Sequence, residues 1–182
     1  MAYLVTNPIQ SMDGMIGLAP NPPSSYPYRN FVYQLFENYL IDKNVFALKL
    51  QEPWAESSLI LGSDDSDVSI KWAPLSSYYF WSTGLKGVKV DGIVISLSVY
   101  SAVYSSIDSD IVVPTFEYPT LMERITHNHT TCMQYDQTYM CDCETPFPVI
   151  ELDLGGDTQL TLEPDWYVMR HNGECIIQIR EH

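Results

Sequence analysis

The stretch that decides the fold is VKVDGIVISLSVYSAVYSSIDSDIVVP, Val88 to Pro114. Val88-Lys89-Val90 and Ile93-Val94-Ile95 flank Asp91-Gly92, a two-residue turn signal that reads as a β-hairpin. From Gly92 to Ile107 the chain runs apolar or alternating and is rich in β-branched residues, as strands are. It then meets Asp108, a second aspartate at Asp110, and an apolar run closed by Pro114. The stretch alone does not say whether Asp108 is a catalytic carboxylate or a polar residue at a strand end.

Outward from this stretch the strand pattern recurs. SSLILGS (57–63), VSIKWAPL (68–75) and YYFWSTGLKGVKVDG (78–92) read as strands, and Gly155-Gly156-Asp157 separates VIELDL from TQLTL. One helix interrupts them. Phe31, Val32, Leu35, Phe36, Tyr39 and Leu40 recur on one face at helical spacing, with Asn30 as N-cap and the proline-rich loop APNPPSSYPYR (19–29) before it. A second, shorter helix is expected near Pro119 to Ile125, with Leu121, Met122 and Ile125 inward. The fold class is therefore mainly β with one or two short helices.

The chain has 182 residues, enough for one large domain or two small ones. Its formal charge of −14 argues against nucleic acid and anionic membrane surfaces as partners, since both need a cationic face. No run approaches the roughly 18 apolar residues of a membrane span. The start, MAYLVTNPIQ, lacks the basic, apolar and small-residue regions of a signal peptide. Four cysteines, Cys132, Cys141, Cys143 and Cys175, suit two disulfides in any of three pairings. Asn128-His129-Thr130 is a glycosylation sequon, and with the cysteines it points to an extracellular or lumenal, vacuole- or lysosome-like setting. His127, His129, Cys132 and Cys141 are zinc-type ligands, but their spacing is irregular and disulfides account better for the cysteines. Asp64, Asp65 and Asp67 read as a solvated turn rather than a calcium site. No metal and no cofactor is expected.

The order of motifs resembles the pepsin-like aspartic protease family. MDGMIGLAPN (12–21), a proline/serine loop, the helix FVYQLFENYLID (31–42) and NVFALKLQ (44–51) are similar to the end of that family's first lobe and its interlobe strand. SSLILGSDDSD (57–67), VSIKWAPLSSYYFWSTGLKGVKVDG (68–92), SSIDSDIVVP (105–114) and CETPFPVIELDLGGDTQLTLEPDWYVMRHNGECI (143–176) follow the second lobe in collinear order. The resemblance implies a partial pepsin-like acid-protease lobe, with residues 1–62 a remnant of the first lobe plus interlobe strand and 63–182 the second lobe, truncated at its C-terminal end. It also implies a Cys143–Cys175 disulfide, which leaves Cys132–Cys141 to close a short loop. Asp108 falls on the position of the second catalytic aspartate.

Three departures from the family pattern bear on chemistry. The first catalytic motif and the flap tyrosine, upstream in the family, have no counterpart before Met1. In the second motif Asp108-Ser109 matches, but Asp110 stands where the family has glycine, and the loop is about three residues shorter. The glycine lets a tight loop approach its pseudo-twofold mate. The apolar-apolar-Gly segment and final strands that brace the second loop are also missing after Cys175, while Met15-Ile16-Gly17 resembles the brace for the absent first loop. Family catalysis needs two carboxyl groups sharing a proton around a water, one per lobe. A lone carboxylate supplies a base without a partner acid. The expectation is a non-catalytic module for binding or assembly, whose missing-lobe surface is covered by a second copy or another protein chain. The alternative is a fragment of an active aspartic endopeptidase cutting peptides at acid pH. A homodimeric protease with one aspartate per chain is disfavoured by the lost glycine.

Overall fold

The computed structural model describes residues 16–21, 29–51, 56–64, 70–106, 108–135 and 137–182. Met15, most of the proline/serine loop, Asp65, Asp67 and Ile107 lie outside the described residues. The chain divides into two compact units, one comprising Met1–Lys71 with Ser77–Trp81 and the other Trp72–Ser76 with Ser82–His182.

In the first unit, helix α1 (Phe31–Glu37) begins where Asn30 caps it, its side-chain oxygen accepting from the Tyr33 N–H at 2.8 Å. The apolar stripe continues to Leu40, but the helix stops at Glu37. Tyr39 takes a left-handed φ of 57°, its N–H donating to the Phe36 carbonyl, while the Leu40 N–H reaches back to Leu35. That is a Schellman stop with tyrosine where glycine is usual, so no residue type announced it. Of the six apolar residues in the stripe, only Val32 is buried. Strands β1 (Phe46–Lys49) and β2 (Ser58–Leu61) pair antiparallel, Phe46 opposite Leu61. Trp81 belongs to the same unit. Its indole N–H donates to the Leu18 carbonyl at 2.6 Å, and Phe46 meets its ring edge-on at 5.4 Å.

The second unit contains β3 (Ser82–Gly84), β4 (Gly87–Val90), β5 (Ile93–Ile95), β6 (Ser101–Val103), β7 (Ile111–Val113) and helix α2 (Tyr118–Ile125). After them come β8 (Met133–Tyr135), β9 (Thr138–Asp142), β10 (Ile150–Asp153), β11 (Gln159–Leu162), β12 (Val168–His171), β13 (Glu174–Ile177) and β14 (Ile179–Glu181). Two four-stranded sheets run β11-β10-β4-β5 and β12-β13-β9-β8; β3 pairs with β6, and β14 pairs with β7. The architecture is mainly β, as a pepsin-like lobe requires. Asp91-Gly92 turns β4 into β5 with positive φ at both residues, the mark of a type I′ turn.

Three strand assignments need correction, the first being Tyr78–Trp81, which bends irregularly so that β3 begins only at Ser82. The apolar run after Gly92 breaks at Ser96–Tyr100, where the Ser98 N–H donates to the buried Glu117 carboxylate instead of a ladder partner. Ile70–Pro74 is not a strand either: Pro74 has no N–H to offer, and only Leu75 bridges, to Thr83. The core forms where the apolar face of α2 (Tyr118, Leu121, Met122, Ile125) joins Val90, Tyr167, Ile177 and Ile179.

Candidate functional site

The sequence places Asp108 just before β7, and the structure sets β14 beside that strand. The two pair in parallel, Ile179 opposite Ile111, Arg180 opposite Val112 and Glu181 opposite Val113. The pairing is pinned at both ends. Ile111 N–H donates to the Gln178 carbonyl at 2.9 Å, His182 N–H to Val113 at 3.0 Å, and the Thr115 hydroxyl to His182 at 2.6 Å. Ile179 is buried in the core, which fixes the strand that carries its neighbour Arg180.

This register brings together three charges. Arg180 Nη2 donates to Asp108 Oδ1 at 3.2 Å, and its Nε lies 3.4 Å from Asp110 Oδ2. One guanidinium therefore bridges Asp108 and Asp110. The side chains are 31% exposed for Arg180, 47% for Asp108 and 28% for Asp110, so water screens the pairs and each is worth no more than about 1 kcal/mol. The effect is geometric. An oxygen of Asp108 is engaged by a cation, and among the described residues the group that reaches it from another element is the Arg180 guanidinium. Sequence reading did not single out Arg180. Its one signal is a lone cation in the apolar run CIIQIRE (175–181), 72 residues from Asp108.

A second constellation surrounds the cysteines. Cys132 is bonded to Cys141, across the open end of the β8–β9 hairpin, and Cys143 to Cys175 on β13. His129 stacks on Phe147 at 4.2 Å and is buried. Among the described residues neither ring nitrogen has a partner in good hydrogen-bonding geometry, although the Pro146 carbonyl is near. Burial lowers the His129 pKa below its usual value; the Asp142 charge and the nearby Pro146 carbonyl pull the other way. The Asp142 carboxyl is itself held below its usual range, first by the Thr131 hydroxyl, then by the N–H groups of Thr145 and Glu144.

Asn128 is exposed on the turn after α2 and rims a surface cavity of about 260 Å³, with Arg124, His127 and Phe147 in its lining. His127 stays out of the His129–cysteine cluster. Asp64 meets Lys43 at 3.6 Å. Among the described residues no helix is long and apolar enough to cross a membrane.

Known proteins supply the context for this geometry. The family model described as eukaryotic aspartyl protease matches residues 4–182. Among curated proteins, the chain is 23% identical to chymosin of Bos taurus over 168 residues, 28% to cathepsin D of Gallus gallus over 172, and 24% to chymosin of Callithrix jacchus over 170. Each match takes in 90% of this chain and 43% of the relative, so the chain spans less than half the length of the proteins it matches. With nearly all of its length inside the family match and its strands assembled as a mainly β, pepsin-like lobe, the chain belongs to the eukaryotic aspartyl protease family.

Proposed function

We propose that this chain is a non-catalytic pepsin-like module that works by binding or assembly, with Asp108 the remnant of a catalytic position. The observation that carries the reading is the Arg180 bridge. Family chemistry needs a carboxylate that shares a proton with a second carboxyl group and holds a water between them. Here Asp108 is tied to a guanidinium, and Asp110 adds a like charge where a small, uncharged residue lets the loop turn. Residues 1–62 fit the remnant of a first lobe with its interlobe strand, and 63–182 fit the second lobe.

Apolar exposure supports an assembly role. Tyr39, Trp72, Tyr100, Val103 and Phe116 are all more than 60% exposed, and β6 and β5 are edge strands. Such surface is suited to burial against a second copy or another protein, by strand addition among other modes. The two disulfides and the exposed Asn128 sequon favour a secreted or lumenal glycoprotein. The test is calorimetry with a transition-state-mimicking aspartic protease inhibitor, together with sedimentation over a wide concentration range. The reading expects no inhibitor binding and a concentration-dependent assembly. Inhibitor binding that Asp108→Asn abolishes overturns the first half, and a monodisperse monomer at the highest concentration overturns self-association.

The second reading, a fragment of an active aspartic endopeptidase, draws on one observation: the chain covers only 43% of its relatives. In that case the remaining portion supplies the other carboxyl group, and Arg180 has to leave Asp108.

A further inference from the structure

His129, Cys132 and Cys141 form a cluster that the reading above does not use. One ring nitrogen of His129 and the two sulfurs all lie within 4.8 Å of one another. The cysteines are bonded to each other, so no thiolate is on offer in the oxidised chain. Yet His129 is only 9% exposed, and among the described residues neither ring nitrogen has a partner in good hydrogen-bonding geometry. A buried imidazole without a well-formed hydrogen bond, the Pro146 carbonyl lying close by, is uncommon in a core, and this ring sits beside two sulfurs.

We propose that reduction of the Cys132–Cys141 bond converts this cluster into a binding site for a soft divalent cation, with Zn²⁺ the cation whose chemistry fits best. Two thiolates and an imidazole are the ligand types zinc prefers. Around a tetrahedral zinc, metal–sulfur bonds of about 2.3 Å and metal–nitrogen bonds of about 2.0 Å place the donors roughly 3.5–3.8 Å apart. From within 4.8 Å, the ring nitrogen has about an ångström to travel, while the freed sulfurs separate by side-chain rotation. The backbone need not rearrange, because Met133–Met140 and Cys141–Cys175 pairings hold β8, β9 and β13 in one sheet. With three protein ligands the fourth position is left to water.

The chemistry balances as follows. A dithiol passes two electrons and two protons to the Cys132–Cys141 sulfurs and leaves as its own disulfide. The cation then displaces both thiol protons, and His129 binds through a neutral nitrogen, so two protons are released per cation. The oxidised chain uses the two cysteines as a crosslink, and the reduced chain uses them as ligands. The site is gated by redox state and does not depend on what Asp108 does.

The test uses Co²⁺ as a spectroscopic probe on the full chain, reduced with a phosphine that is then removed without air. The expected result is thiolate-to-cobalt absorption in the reduced protein, displaced by Zn²⁺ and absent before reduction. Cys132→Ser/Cys141→Ser should abolish it although Cys143 and Cys175 remain. Loss of the His129 ligand in His129→Gln should weaken binding by no less than the roughly 10–100-fold typical of losing a mere outer-shell partner. Because that variant removes a buried ring, ¹⁵N shifts of the four histidines in the unsubstituted protein give a second readout, and one ring should move on Zn²⁺ addition. Absorption that survives in the double serine variant, no absorption after reduction, or histidine rings indifferent to Zn²⁺ would each overturn the proposal.

Discussion

Removing the Cys143–Cys175 bridge should cost more stability than removing Cys132–Cys141, and the structure sets by how much. The sequence separations are 32 and 9 residues. In the chain-entropy account, a crosslink stabilises by about 2.1 + 1.5R ln n cal/mol/K of entropy withheld from the unfolded chain, which gives about 3.7 kcal/mol for the long loop and about 2.6 kcal/mol for the short one at 25 °C. Packing leaves the gap near 1.1 kcal/mol, since each bridge joins one buried cysteine (Cys175, Cys141) to one half-buried one (Cys143, Cys132). The assay is urea unfolding of Cys143→Ala/Cys175→Ala and Cys132→Ala/Cys141→Ala beside the parent. With an m-value of about 2 kcal/mol/M, the long-bridge variant should lose roughly 1.8 M of midpoint and the short-bridge variant roughly 1.3 M. A larger loss for the short bridge, or less than about 1 kcal/mol for the long one, would refute the reasoning. The bridge also matters to the site. It anchors β13, which leads through Gln178 into the strand that carries Arg180.

Other consequences follow from single residues. Arg180→Gln should cost no more than about 2 kcal/mol, because both ion pairs it loses are partly exposed. Chemical denaturation checks that value. His129 has a folded pKa below its unfolded value of about 6.5, so its neutral form favours the folded state. Stability is full above that unfolded value and is lost as pH falls through it toward the folded one; His129→Phe should remove this part of the pH slope in thermal unfolding. Gly62→Ala should destabilise the first unit by roughly 1–2 kcal/mol from the left-handed backbone alone. Its φ is +80°, and an added Cβ would sit 2.6 Å from Ile41 Cβ, so the measured loss should exceed that range.

Much of the fold was legible because its signals are local. Asp91-Gly92 and Gly155-Gly156-Asp157 mark hairpins through residues that accept positive φ, and both hairpins form. Leu121, Met122 and Ile125 announced the buried face of α2 by spacing. The family was legible through the order of its motifs, although no single motif is specific. What stayed hidden depends on partners distant in sequence. The end of α1 turns on a left-handed tyrosine, which no propensity suggests. The gap between β5 and β6 turns on Glu117, which draws off a strand N–H from the start of a helix. Arg180 reaches Asp108 only because β14 lies parallel to β7, a pairing that periodicity cannot reveal. His129 read as the middle of a sequon and as one of four zinc-type ligands set aside for irregular spacing, and its burial against Phe147 shows only in three dimensions.

The most direct test of the central claim is turnover. The full chain and its Asp108→Asn variant are incubated with an unfolded protein substrate at mildly acid pH, and peptide products are followed by mass spectrometry. With Asp108 tied to Arg180 beside Asp110, the two proteins should be equally inert. Cleavage by the parent chain that disappears in Asp108→Asn would contradict the account and make Asp108 a working catalytic carboxylate.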